Sequence, residues 1–174
     1  KAASHSHDLA GAGRISPLFL LSWQSDESLV AAAREVTRFT HGDPAVVDAA
    51  EFFARLVLAV QRGAEVPAAI ASTLPARFKE SFTAGCQSAT SPLGDAQALA
   101  KHGLSCDIAG GLPSVVHLLH RHPEDPASAL IANASAGGDS AARGTILGLI
   151  YGARFPVAAL PALWLSELKS APEF

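Results

Sequence analysis

Apolar residues in this chain recur every three or four positions, not every second one, which is the spacing of helices that bury one face. Across residues 26–39, Leu29, Ala32, Ala33, Val36 and Phe39 form one such stripe. Asp43 then stands where a carboxylate caps a helix. Pro44 follows at the first helical position, where its missing N–H costs nothing. Val46, Ala50, Phe53, Val57 and Val60 make the apolar face of that helix, and Arg62-Gly63 ends it. Shorter helices are predicted over 67–73, 76–85 and 95–102, separated by turn-rich pieces such as Thr90-Ser91-Pro92-Leu93-Gly94. Gly110-Gly111-Leu112-Pro113 predicts a break, with a helix over 114–122 after it that Pro123 stops. Further helices are predicted over 127–134 and 140–152. A last one starts at Pro156 or Pro161 and runs through Lys169. No strand pattern and no repeat interrupts this series. The fold class is therefore all-α, with residues 1–174 forming part of a single helical domain.

Composition narrows the classes of function. The formal net charge is -3 with 17% charged residues, and no run of Lys or Arg could neutralise successive phosphates, so no nucleic acid is expected as partner. The apolar stretches 15–23 and 145–153 are too short for a bilayer, which takes about 20 residues, so no membrane partner is expected either. Two cysteines, Cys86 and Cys106, are too few for a disulfide framework. They fit a reducing, cytoplasmic location as ordinary semi-buried thiols. There is no methionine and Lys1 comes first, which suggests a piece of a longer product.

The sharpest chemical feature is Gly137-Gly138-Asp139-Ser140-Ala141-Ala142-Arg143-Gly144. A Gly-Gly turn reaches backbone angles other residues resist, and the helix after it offers free N–H groups at its start. Asp139 and Ser140 would face a ligand there, or Asp139 is simply the N-cap. Gly144, Gly148 and Gly152 follow at intervals of four. Each costs about 1 kcal/mol in a helix relative to alanine, so the stripe predicts close approach by another helix. His117, His120 and His122 are expected to be a partly buried histidine and two exposed ones, not a metal site. Asp107 reads best as a turn-forming aspartate.

At Gly137-Gly138-Asp139-Ser140 the chain resembles the ADP-ribosylglycohydrolases, whose Gly-Gly-Asp-Thr-Asp-Thr run opens a helix rich in Gly and Ala. Two further stretches agree in order. Gly13-Arg14-Ile15-Ser16-Pro17-Leu18 resembles the family's Met-Arg-x-x-Pro segment, and Thr40-His41 resembles its Thr-His motif. The variant run Gly-Gly-Asp-Ser-Ala-Ala-Arg-Gly is similar to a divergent branch related to the jellyfish lens crystallins.

The resemblance implies an all-helical protein that cleaves an N- or O-glycosidic bond of ADP-ribose with magnesium assistance. Its substrate would be an ADP-ribosylated molecule or a small ADP-ribose-like one. By position, Asp139 would be the metal ligand and catalytic residue. Gly11, Gly13, Arg14, His41, Ser140 and Arg143 would hold substrate, with Arg143 either placing a cation where the family has a metal or standing as an exposed helix-surface arginine. The segment 4–13 stands in the place of the family's phosphate loop or is a frayed terminus, and His41 stands beside the adenosine-side ribose or as a helix cap. The resemblance covers the C-terminal part of the family's domain. The family's Thr-Asp-Asp cluster is missing here, which makes an N-terminal remainder of the same protein an expected partner. Ala141 and Ala142 replace the second aspartate and the threonine of the signature. Magnesium prefers octahedral oxygen coordination and a methyl group supplies none, so the alternative is a degenerate, non-catalytic relative. Such a protein would bind a nucleotide ligand or serve structurally, as crystallins do.

Overall fold

The computed structural model describes residues 3–169. Among them are ten α-helices: α1 (Ala10–Gly13), α2 (Asp26–Arg38), α3 (Pro44–Gln61), α4 (Val66–Thr73), α5 (Lys79–Ala89), α6 (Asp95–His102), α7 (Ile108–Arg121), α8 (Pro126–Ala136), α9 (Ser140–Arg154) and α10 (Ala162–Ser166). Strand-like pairing is confined to two isolated bridges, Ser4 with His41 and Asp8 with Asp107. The all-α expectation holds.

Two long apolar helices organise the core. α3 packs against α1, α2, α4 and α9, and α7 against α4, α5, α6, α8 and α9. Along α3, Val46, Ala50, Phe53 and Val57 are buried as their spacing predicts, and Phe52 and Leu56 widen the face. Each fully buried side chain of this size contributes roughly 1.5–3 kcal/mol. Asp43 caps α3, its carboxylate accepting the N–H groups of Ala45 (2.8 Å) and Val46 (3.4 Å). Ser25 and Ser28 cap α2 reciprocally. On the α2–α3 surface Arg55 donates to Glu27 at 2.7 and 2.9 Å and to Glu51 at 3.0 Å.

Several expectations are corrected. α7 does not wait for Pro113: it starts at Ile108, capped by Asp107, whose carboxylate accepts the Ala109 N–H at 2.8 Å. The glycines before the proline serve close packing. A Cβ on Gly110 would lie 2.6 Å from the His102 carbonyl oxygen, and one on Gly111 2.6 Å from Leu9. Gly85 likewise does not end α5. It lets α5 approach α7, with the Pro113 carbonyl oxygen and Val116 each 2.7 Å from where a Cβ would stand. The Gly144–Gly148–Gly152 stripe meets another helix at one position only, where a Cβ on Gly144 would lie 3.2 Å from Asn133 Nδ2 of α8. Nothing lies within 4 Å of the Cβ positions of Gly148 and Gly152, which border a small apolar cavity of about 220 Å³ beside Tyr151 and Phe155. The final helix is also shorter, α10 ending at Ser166. No helix among the described residues is long and apolar enough to cross a membrane.

Candidate functional site

Two of the three stretches singled out in the sequence, 13–18 and 40–41, meet around α1, and the flank of α9 at Thr145 joins them there. This helix is a single turn, opened by Asp8, whose carboxylate accepts the Ala10 N–H at 2.8 Å. Its glycines are there for contact. A Cβ on Gly11 would lie 2.6 Å from His41 Cγ and 2.8 Å from Val46, and one on Gly13 3.1 Å from Thr145 Cγ2. α1 is thus wedged between the start of α3 and the flank of α9. The chain before it is tied down as well: Ser4 N–H donates to the Thr40 carbonyl (3.1 Å), Gly42 N–H to the Ser4 carbonyl (2.8 Å), and Leu9 N–H to the Cys106 carbonyl (2.8 Å). His7 lies 3.3 Å from the Asp43 carboxylate. His41 is half-buried, and its Nδ1 shares a 2.8 Å hydrogen bond with Thr40 Oγ1.

A cleft of about 850 Å³ opens beside this junction. Gly13, Arg14 and Ser16 line one side, Glu35, Val36, Phe39 and Thr40 another, and Thr145 of α9 a third. Phe39 is 89% exposed and Val36 37%. The apolar stripe assigned to α2 therefore divides. Leu29 and Ala33 enter the core, joined by Val30 and Thr37, while Val36 and Phe39 turn to the cleft. Of the residues expected to hold substrate, Gly13 and Arg14 line the cleft. Gly11 and His41 pack on each other beside it, and Asp139, Ser140 and Arg143 lie outside its lining. Glu35, Phe39 and Thr145 are site-lining residues that sequence reasoning missed. The one available signal was an aromatic residue next to the Thr-His pair.

At the α8–α9 turn, Gly137 and Gly138 have φ of 74° and 63°, the left-handed region that favours glycine. At Gly138 a Cβ would meet the Leu104 carbonyl oxygen at 2.1 Å. Asp139 donates its own N–H to that carbonyl (2.9 Å), and its Oδ1 accepts the Ala142 N–H (3.1 Å). It is the N-cap of α9. Arg143, expected at the ligand, is 1% exposed. Its Nε donates to Asn133 Oδ1 (2.8 Å) and its Nη2 to the Gly137 carbonyl (2.6 Å), while Nη1 is buried with no partner among the described residues. Burial lowers the Arg143 pKa and the Asp139 carboxylate partly offsets that. The guanidinium straps the turn together from inside.

The family profile of the ADP-ribosylglycohydrolases matches residues 1–174. The chain belongs to this family. Curated proteins and solved structures gave no match. Membership makes this a hydrolase-like, all-helical protein whose relatives act on ADP-ribosylated substrates. The magnesium that the family resemblance implies can be tested against the donors present. No group of three His, Cys, Asp or Glu side chains among the described residues could hold a metal. Asp139 is the one carboxylate of the run and one of its oxygens is spent on the helix cap; Ala141 is an exposed methyl and Ala142 a buried one. This donor set does not fit a magnesium ion, which needs several oxygens in octahedral array.

Other polar groups also stand differently from expectation. His117 is fully buried, and His122 is half-buried with its Nε2 3.0 Å from Asp95 Oδ2. Cys106 is exposed and only Cys86 half-buried; burial pushes the Cys86 thiol pKa up.

Proposed function

We propose that this ADP-ribosylglycohydrolase-family chain recognises an ADP-ribose-like ligand in the cleft between α1, α2 and α9, as a binder in which the family's metal run is altered. The observation that carries this reading is the pairing of Arg14 with the exposed Phe39 ring on one cleft of about 850 Å³. A diphosphate calls for a guanidinium, which presents a planar fork of donors. An adenine calls for a flat apolar surface, and aromatic–base stacking is worth about 1–3 kcal/mol. Thr40, Ser16 and Thr145 add hydroxyls of the kind that bind ribose. His41 would act by shaping α1 through Gly11, not by touching ligand.

A second reading, cleavage of an N- or O-glycosidic bond of ADP-ribose, draws support from Asp139. Its Oδ1 is held by the cap, and its other oxygen makes no hydrogen bond among the described residues, so a carboxylate base remains chemically available. No step of that reading passes through magnesium, because the donors do not fit it. Ser140 would support the turn, its carbonyl accepting from Asn133 Nδ2 at 2.8 Å. A crystallin-like structural role is a separate reading, which failure to bind any nucleotide would favour over the binder.

Calorimetric titration with ADP-ribose tests the proposal. Binding is expected with and without a chelator, and Phe39→Ala should weaken it roughly 5- to 150-fold. Binding abolished by chelation would remove the metal-independent reading. Release of ADP-ribose from an ADP-ribosylated substrate, lost in Asp139→Asn, would establish the second.

A further inference from the structure

Away from the cleft, five polar side chains form one hydrogen-bonded chain across α5, α6 and α7. His102 Nε2 lies 2.9 Å from Ser88 Oγ, and Ser88 Oγ 2.8 Å from His117 Nδ1. His117 Nε2 lies 2.9 Å from Asp95 Oδ1, and Asp95 Oδ2 3.0 Å from His122 Nε2. Asp95 and His102 are the first and last residues of α6, so the chain grips that helix at both ends. His117, at its centre, is 0% exposed.

We propose that His117 is a buried proton-binding site, and that the Ser88 hydroxyl is a rotor that reverses its hydrogen bond when the proton arrives.

The argument is a count of hydrogens. Ser88 has one, and three groups within reach: His117 Nδ1, His102 Nε2 and the Gly85 carbonyl at 2.9 Å. Asp95 as a carboxylate can only accept, so His117 Nε2 carries a hydrogen. In neutral His117 the other nitrogen, Nδ1, is a lone pair. Ser88 must then donate to it and accept from His102 Nε2–H. When His117 takes a proton from solvent, Nδ1 becomes a donor. The Ser88 hydrogen swings to the Gly85 carbonyl, and its oxygen accepts from both imidazoles. Every partner is satisfied in both states, and no heavy atom has to move. The proton ends on Nδ1 of an imidazolium whose Nε2–H faces a carboxylate.

The surroundings set the balance. From α6 come Asp95 and His102, and from the end of α7 Arg121 and His122; Arg121 also donates to the Leu93 (2.7 Å) and Ser91 (3.0 Å) carbonyls. α5 contributes Ser88, and its Cys86 is held protonated by burial. α9 contributes Tyr151, whose hydroxyl donates to the His122 carbonyl at 2.8 Å and whose pKa burial raises. α4 and α8 carry no titratable residue. Burial holds His117 below the ordinary imidazole range against the pull of Asp95, and Arg121 and His122 press the same way as burial. At neutral pH the site is therefore empty of its second proton and fills on acidification.

The test is imidazole ¹⁵N NMR on the full chain between pH 8 and 5. His117 and His102 should both be the Nε2–H tautomer at pH 8, and His117 should gain its second proton below pH ~6.5. Ser88→Ala leaves the charged Nδ1–H without an acceptor, so its midpoint should fall by about one unit. Asp95→Asn should lower it too. An Nδ1–H tautomer for His117 at pH 8 would overturn the proposal without any variant, and so would a Ser88→Ala midpoint that is unchanged or raised.

Discussion

Asp139 shows how local rules make a residue legible. An aspartate after two glycines is a helix cap by side-chain chemistry alone, and it caps α9. The reason Gly138 must be glycine is stronger than the sequence indicates, because its left-handed φ is joined by the Leu104 carbonyl from a distant loop. Gly138→Ala should therefore cost more than the 1–2 kcal/mol of left-handed strain, read as a lowered urea midpoint. Arg143 was not legible. Its partner Asn133 lies on the preceding helix, and only the three-dimensional turn brings the two within 2.8 Å. Arg143→Met should destabilise the fold by about 1–3 kcal/mol by stranding Asn133 Oδ1, while leaving ligand affinity unchanged in the folded protein.

Among the elements, α3 is the most predictable because cap, proline and apolar face agree. α7 is the least, because Gly-Gly-Leu-Pro reads as a break until the end of α6 at His102 and Gly103, and Leu9, are seen pressing into its glycines. Tertiary packing there outweighs propensity. Two glycine substitutions should separate packing from propensity, with unfolding midpoints as the readout. Gly85→Ala gains helix propensity but drives a methyl into Pro113 and Val116 at 2.7 Å, and should destabilise by about 1–3 kcal/mol. Gly148→Ala meets nothing within 4 Å and should stabilise by about 0.5–1 kcal/mol. α2 carries the other lesson. A helical stripe says which residues share a side, but not where the neighbouring helix stops covering it, so Phe39 was assigned to the core and emerges at the cleft.

For the whole molecule, the convergence of 11–14 and 40–41 on one junction was implied by the family resemblance and not by periodicity. The position of the cleft could not be read, because it depends on how α1, α2 and α9 pack. A global pH dependence follows from the buried histidines. Burial lowers the pKa of both His102 and His117, with His117 adding to the effect on His102. The unfolded chain then binds more protons than the folded one once pH falls below about 6.5, so stability is complete above that pH and declines beneath it. Asp95 acts lower on the scale. Burial alone would raise its carboxyl, but hydrogen bonds from His117 and His122, with the nearby positive charges, hold it below the usual carboxylate range. Its contribution is therefore kept until strongly acidic pH. Urea midpoints at pH 7.5 and 5.5 should differ in that direction, and by less in His117→Gln.

The central claim is that the α1–α2–α9 cleft is where an ADP-ribose-like ligand sits. Backbone NMR of the full chain titrated with ADP-ribose in the presence of a chelator tests it most directly. The account predicts saturable shifts at Gly13, Arg14, Phe39, Thr40 and Thr145, greatly weakened in Arg14→Ala. Shifts centred instead on the apolar cavity beside Tyr151 and Phe155, or no shifts at all, would contradict it.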